Sequence, residues 1–274
     1  MAGTLFIVGT PIGNLKDATD RARETLARVD VIACEDTRRT GKLLKALEIG
    51  SGARLVSYFE ANERRRTPVL LGDLRDGRDV ALVSDGGMPA FSDPGYRLIR
   101  ACIDAGIEVD VVPGPAAAVA ALVVSGLPTD RFAFEGFLPR REAQRRARLE
   151  ALADDPRTLV LFESPHRLRA LLRDATAALG PDRPAAVVRE LTKLHQEIRR
   201  GPLRELADGT PDQVKGEVTV VVGGAPPAEQ DLDALAERVN ALVEEGLSRK
   251  AAASRVAEES GAAKGALYDA SLDA

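Results

Sequence analysis

An α/β fold made of two different sheets, with a cleft between them and a small helical unit after them, is what this 274-residue chain predicts. Three observations lead there. Over the first half, short apolar segments alternate with stretches of helical periodicity, the pattern of a doubly wound, mainly parallel sheet. Beyond residue 130 some apolar segments follow one another with no room for a helix, so antiparallel pairs must join the second sheet. Several strands also end in glycine- and proline-rich turns, which fix unusual backbone angles and leave bare main chain for a small molecule to approach. The predicted divisions are 1–115, 116–224 and 225–274.

Residues 4–8 form the first strand, cut off by Gly9-Thr10-Pro11-Ile12-Gly13-Asn14. Leu15, Ala18, Ala22, Leu26 and Val29 then recur at helical spacing, with Asn14 or Asp17 as the cap. The second strand, 30–34, ends at Glu35-Asp36-Thr37-Arg38-Arg39-Thr40, where two acids and two arginines crowd one strand-to-helix corner. Leu43, Leu44 and Leu47 give a short helix and 54–58 a third strand. Residues 60–76 read as a helix that Pro68 kinks or restarts. The fourth strand, 79–83, runs into 84–95, which holds three glycines and two prolines in twelve residues. A helix follows, then a fifth strand at 108–112, the rigid turn Pro113-Gly114-Pro115 and an alanine-rich helix. Such turns at one edge of a parallel sheet form a crevice.

In the second half, 131–135 and 158–162 read as strands, separated by a helix carrying five arginines in nine residues, 140–148. The second of them ends in Glu163-Ser164-Pro165-His166-Arg167. Residues 185–189 are strand-like and lead into Glu190-Leu191-Thr192-Lys193. A segment at 196–201, a short helix from Pro202 and the β-branched run 218–222 complete the mixed sheet. Gly223-Gly224-Ala225-Pro226-Pro227 is a linker by composition. Three short helices follow, the second capped by Ser248 and ended by Gly261; their spacing suits either a helix-turn-helix or a helical cap.

No window approaches the ~20 apolar residues of a membrane span, and residues 5–8 are too short for a signal-peptide core, so a cytoplasmic protein is expected. Cys34 and Cys102 lack metal or disulfide spacing and read as small core residues. With two histidines, no metal site is expected. The net charge of −4 argues against indiscriminate attraction to a polyanion. Two arginine islands, 140–148 and Arg64-Arg65-Arg66, suit either phosphate contact or a solvated helix face. Phosphate-loop, dinucleotide and Gly-x-Ser-x-Gly motifs are all missing.

The segments Val8-Gly9-Thr10-Pro11-Ile12-Gly13-Asn14-Leu15, Cys34-Glu35-Asp36-Thr37-Arg38, Ser84-Asp85-Gly86-Gly87-Met88-Pro89, Ser92-Asp93-Pro94-Gly95, Val112-Pro113-Gly114-Pro115, Gly136-Phe137-Leu138-Pro139 and Phe162-Glu163-Ser164-Pro165-His166-Arg167 occur in that order. Together they resemble the tetrapyrrole methylase superfamily, and within it the enzymes that methylate small-subunit ribosomal RNA. Two departures stand out: the family's Ser-Asp-Ala-Gly-Thr-Pro is Ser84-Asp85-Gly86-Gly87-Met88-Pro89 here, and its Pro-Gly-Pro-Ser-Ala is Pro113-Gly114-Pro115-Ala116-Ala117.

The resemblance implies a homodimer that binds S-adenosylmethionine between two α/β domains and methylates the 2′-hydroxyl of a cytidine in 16S rRNA. It implies cofactor contacts from Pro11, Asp85, Gly86, Gly87, Met88, Gly114, Ala116, Ala117 and Phe162. It places RNA on Arg38, Arg39, Arg145, Arg146, His166, Arg167, Arg189 and Lys193. Asp36 and Glu190 are the candidate bases; Glu35, Glu163 and His166 also follow strand ends, and each acid has an N-cap or arginine partner as its alternative role. A small-molecule, tetrapyrrole-type methyltransferase and a non-enzymatic RNA-binding assembly factor are the rival readings.

Overall fold

A computed structural model describes residues 2–226 and 232–273; Pro227, the end of the predicted linker, lies outside them. The chain divides after Gly224 into two compact units.

In the first unit, strand β1 (Leu5–Val8) is followed by a single 3-10 turn, Leu15–Asp17, capped by Asn14, whose side chain accepts the Lys16 amide. Helix α1 (Asp20–Arg28) starts only after Thr19, whose hydroxyl accepts the Ala22 amide at 3.1 Å. The predicted single helix from Leu15 is therefore two pieces, because two N-caps compete within five residues and the second starts the longer run. Next come β2 (Val31–Cys34), α2 (Thr37–Ala46), β3 (Arg54–Ser57), α3 (Glu63–Arg75), β4 (Val80–Val83), α4 (Tyr96–Asp104) and β5 (Val109–Val112). Pro68 lies inside α3, which runs on unbroken.

These five strands form one parallel sheet in the order β3-β2-β4-β1-β5. Alternate side chains serve two cores, as a period of two requires. Leu5, Ile7, Ala33 and Leu82 pack with Leu70, Leu74, Leu98 and Cys102 of α3 and α4. Phe6, Val8, Ile32 and Val83 pack with Ala22 and Leu26 of α1 and Leu44 of α2. The chain thus leaves β1 and β4 toward opposite faces, which opens a crevice at their carboxyl ends.

Helix α5 (Ala117–Ser125) leads to the second sheet: β6 (Phe132–Phe137), α6 (Glu142–Glu150), β7 (Thr158–Glu163), α7 (Leu168–Leu179), β8 (Pro184–Arg189), β9 (Glu197–Pro202), α8 (Leu203–Asp208) and β10 (Val218–Val222). Its order is β6-β7-β10-β8-β9; only β6 and β7 are parallel, and the other neighbours are antiparallel. One face packs Leu159, Leu161, Val187, Val218 and Val220 against Leu149 of α6, Leu171 and Leu172 of α7 and Leu203 of α8. The other packs Val160, Val188 and Val221 against Ala118, Ala121 and Leu122 of α5.

The second unit contains α9 (Leu232–Glu244), α10 (Arg249–Ser260) and α11 (Lys264–Asp273), built around Val239, Ala252, Val256 and Leu267. Ser248 caps α10 and Gly261, at φ 74°, ends it. No helix among the described residues is long and apolar enough to cross a membrane.

Candidate active site

A cavity of 610 Å³ opens where the turns at the carboxyl ends of β1, β2 and β4 meet the ends of β7 and β8 and the start of β10. Its first wall is held by main chain. Thr10 and Gly87 exchange backbone hydrogen bonds of 2.9 and 3.0 Å, and the Thr10 hydroxyl donates to the Ser84 carbonyl. Gly87 sits at φ 92°, where a side chain is strained, and a Cβ there would lie 3.4 Å from Ile12. Behind this wall Gly9 and Gly114 meet face to face: a Cβ on Gly114 would come within 2.8 Å of the Gly9 backbone. Ala90 and Ser92 also adopt left-handed angles, so the 84–95 loop is shaped against intrinsic preference, as functional loops often are.

The apolar lining comes from both sheets and includes Ile12, Leu43, Met88, Phe91, Phe137 and Phe162. Phe91 stacks on Phe134 at 4.2 Å between ring centres, and Phe134 meets Phe162 edge-on at 5.0 Å, so the aromatic rings tie the loop to the second sheet. The polar lining contains Glu35, Asp85, Asp93, Glu163 and Glu217 against Arg39 and Lys193. Carboxylates thus outnumber cations on the wall.

The acids differ in state. Burial pushes the Glu35 carboxyl up, although Oε1 accepts the Asp85 amide at 3.1 Å. Burial likewise raises Asp93, partly offset by a hydrogen bond with Ser84. Asp36 is pulled down by the Arg38 guanidinium and by the Arg38 and Arg39 amides it caps. Glu190 is held low by Lys193, 2.8 Å away, and by the Glu217 amide. Lys193, despite its burial, is raised by Glu190 and Glu217.

Of the residues singled out for a cofactor, the structure brings Pro11, Asp85, Gly86, Gly87, Met88, Ala116, Ala117 and Phe162 to the cavity wall; Gly114 lies behind it. Met88 also packs against the first sheet's core. Of those assigned to RNA, Arg39 and Lys193 reach the cavity, and Arg39 pairs with Asp85 at 2.8 Å. Arg38 is exposed and paired with Asp36, His166 is exposed on the 3-10 turn Pro165–Arg167, Arg167 binds buried Glu163, and Arg189 pairs with Glu197.

Arg145 requires a correction. It is 5% exposed and forms a two-point ion pair with Asp174, itself 3% exposed, so its guanidinium is not presented to phosphate. Arg146 shares Asp174 and also pairs with Glu142, and Arg148 pairs with Glu135. Arg145, Arg146 and Arg148 are thus compensated, by Asp174 and Glu135 from other elements and by Glu142 on the helix itself. Asp36 likewise serves as the N-cap of α2, and neither it nor Glu190 is on the cavity wall.

Sequence reasoning missed Asp93, Val188, Leu191 and Thr219 as wall residues. Asp93 lay within a loop already singled out. Val188 and Thr219 gave no signal, since an alternating strand does not reveal which of its faces borders a cavity. Among the described residues no group of three or more His, Cys, Asp or Glu is placed to hold a metal.

Residues 4–207 match the family model of tetrapyrrole (corrin/porphyrin) methylases. A ribosomal RNA small subunit methyltransferase I of Mycobacterium tuberculosis (strain CDC 1551 / Oshkosh) is 50% identical, covering 99% of this chain and 95% of that protein. The protein of the same name from Escherichia coli O157:H7 is 46% identical over the same shares. Among solved structures, a uroporphyrin-III-C-methyltransferase from Thermus thermophilus matches with a TM-score of 0.53 and 27% identity, covering 81% of this chain and 94% of that one. With a doubly wound sheet, a mixed sheet and a cavity between them accompanying these matches, the chain belongs to the tetrapyrrole methylase family and groups within it with the ribosomal RNA small subunit methyltransferase I proteins.

Proposed function

We propose that the chain is an S-adenosylmethionine-dependent methyltransferase of small-subunit ribosomal RNA, acting on the 2′-hydroxyl of a cytidine in 16S rRNA. The supporting observation is the cavity itself, with apolar and aromatic walls, bare glycine main chain and an excess of carboxylates. Its volume is that of a small-molecule site, and its charge suits a ligand carrying a positive sulfur and an ammonium group. Near-full-length similarity to proteins named for ribosomal RNA outweighs the more distant likeness to a uroporphyrin methyltransferase. We also place the protein in the cytoplasm as a homodimer.

When bound, S-adenosylmethionine supplies an electrophilic methyl group. Met88, Ala117 and Phe162 would enclose its apolar part, and the Gly86-Gly87 main chain and Asp85 would hold its polar part. Alignment of the reacting atoms by this wall supplies much of the rate, because the leaving group is already good. The ribose hydroxyl must also lose its proton. Asp36 and Glu190 were the candidate acceptors, but their arginine, lysine and amide partners hold them as weakly basic anions. Glu35 fits better: it lines the cavity, burial raises its proton affinity, and Oε2 has no hydrogen-bond partner among the described residues. It takes the hydroxyl proton as the oxygen accepts the methyl group.

Two variants test this reading. Gly87→Leu forces a left-handed angle on a side chain beside Ile12, and should weaken S-adenosylmethionine binding at least tenfold by calorimetry, in line with ~1–2 kcal/mol of backbone strain. Glu35→Gln should keep cofactor affinity while turnover on 30S subunits falls about 100-fold, with loss of the wild-type rise in rate as this carboxyl ionises above the usual ~4.3. Transfer of labelled methyl by the wild type to a uroporphyrinogen, and none to 30S subunits, would refute the RNA reading.

A further inference from the structure

The compensated arginines of α6 raise the question of which basic groups remain uncompensated. Arg64 and Arg65 are exposed in the first turns of α3, and Arg66 is half-buried beside them. Among the described residues none of the three has a side-chain hydrogen bond or an ion pair, and the Arg66 Nε is buried without a partner. Neither nearby acid, Glu60 or Glu63, forms an ion pair with them among the described residues, and Glu63 is engaged elsewhere. Its Oε1 accepts the Gly95 amide at 2.8 Å and its Oε2 faces Arg97 at 3.8 Å.

That Glu63 contact fixes the triplet to the cavity. Gly95 ends the 84–95 loop, so the first turn of α3 is tied to the loop that forms one wall. The same loop touches the second sheet through Phe91 on Phe134 and Ser92 beside Gly136. From there β6 continues through Phe137, on the cavity wall, to Arg140 and Arg141. These two arginines are exposed, and their side chains have no ion pair or hydrogen bond among the described residues. Two unneutralised arginine groups thus flank one loop, one on the side of each sheet.

We propose that these groups, Arg64 to Arg66 and Arg140 with Arg141, bind successive phosphates of a single-stranded RNA segment lying across the cavity mouth. The inference rests on the RNA reading above. Arginines already neutralised by carboxylates release few counterions on binding, whereas free ones each release the ions condensed on a phosphate. Phosphates on either side of the 84–95 loop would position the intervening ribose over the cavity, with its base unstacked from the strand.

The test is the salt dependence of binding to 30S subunits, measured for wild type, Arg64→Ala/Arg65→Ala, Arg140→Ala/Arg141→Ala and Arg148→Ala. All substituted side chains are at the surface, and unchanged S-adenosylmethionine affinity will report an intact fold. The slope of log affinity against log salt should become shallower by about 0.7 to 0.9 for each phosphate contact removed in both double variants. Arg148→Ala, which loses an arginine already paired with Glu135, should keep the wild-type slope. An unchanged slope in either double variant, with the wild type still methylating 30S subunits, overturns the phosphate path alone. A wild type that neither binds nor methylates 30S subunits takes down the RNA reading and this inference with it.

Discussion

Asp174→Ala should destabilise the protein by about 3–5 kcal/mol, the usual cost of removing one partner from a buried ion pair. Asp174 on α7 accepts Arg145 Nε at 2.7 Å and Nη2 at 2.6 Å through one oxygen, and Arg146 Nε at 2.8 Å through the other. Removing the carboxylate leaves the buried Arg145 guanidinium with only a 3.4 Å contact to the Arg140 carbonyl. At about 2–4 °C per kcal/mol for a unit of this size, the melting temperature should fall by roughly 6–20 °C. Arg145→Leu/Asp174→Leu should recover most of it, since a buried pair replaced by apolar side chains is often nearly neutral. A single variant that melts within a degree of wild type would show that the pair contributes no such term. Charge reversal at Arg145 would therefore lower RNA binding by unfolding, and is no measure of phosphate contact.

Gly114→Ala should be almost as damaging, at about 3 kcal/mol, the upper range for overpacking a closed site. The added carbon would meet backbone atoms of Gly9 at 2.8 Å, and backbone cannot rotate aside as a side chain can. Relief requires moving β5's turn away from β1's turn, which displaces Pro11 and Ala116 on the cavity wall. Cofactor affinity should therefore fall together with the melting temperature. Gly50→Ala, where nothing lies within 4 Å, should change stability by less than about 0.5 kcal/mol. Equal melting temperatures for the two variants would sink the account.

The first sheet was legible because its three central strands, β1, β2 and β4, are buried along their whole length and read as unbroken apolar runs. Leu5 to Val8 and Val80 to Val83 are apolar throughout, and nothing competes with a strand reading. The order of the second sheet was not legible: β10 inserts between β7 and β8, which precede it in the chain, and no local residue encodes that. The loop part of the site was readable from Gly86, Gly87 and Pro89, whose backbone demands are local. The assignment of Arg145 to phosphate failed for the opposite reason. Arg145 and Arg64 look alike in sequence, and only Asp174, 29 residues downstream of Arg145, separates a core ion pair from a free cation.

The aromatic bridge from Phe91 through Phe134 to Phe162 has a thermodynamic consequence. The two sheets possess separate cores, and the rings are among the contacts that join them. A molecule seated in the cavity touches both walls and is bound only while they face each other, so its binding free energy is added to the cooperativity between the halves. Substrate occupancy then sets how nearly the two halves melt as one.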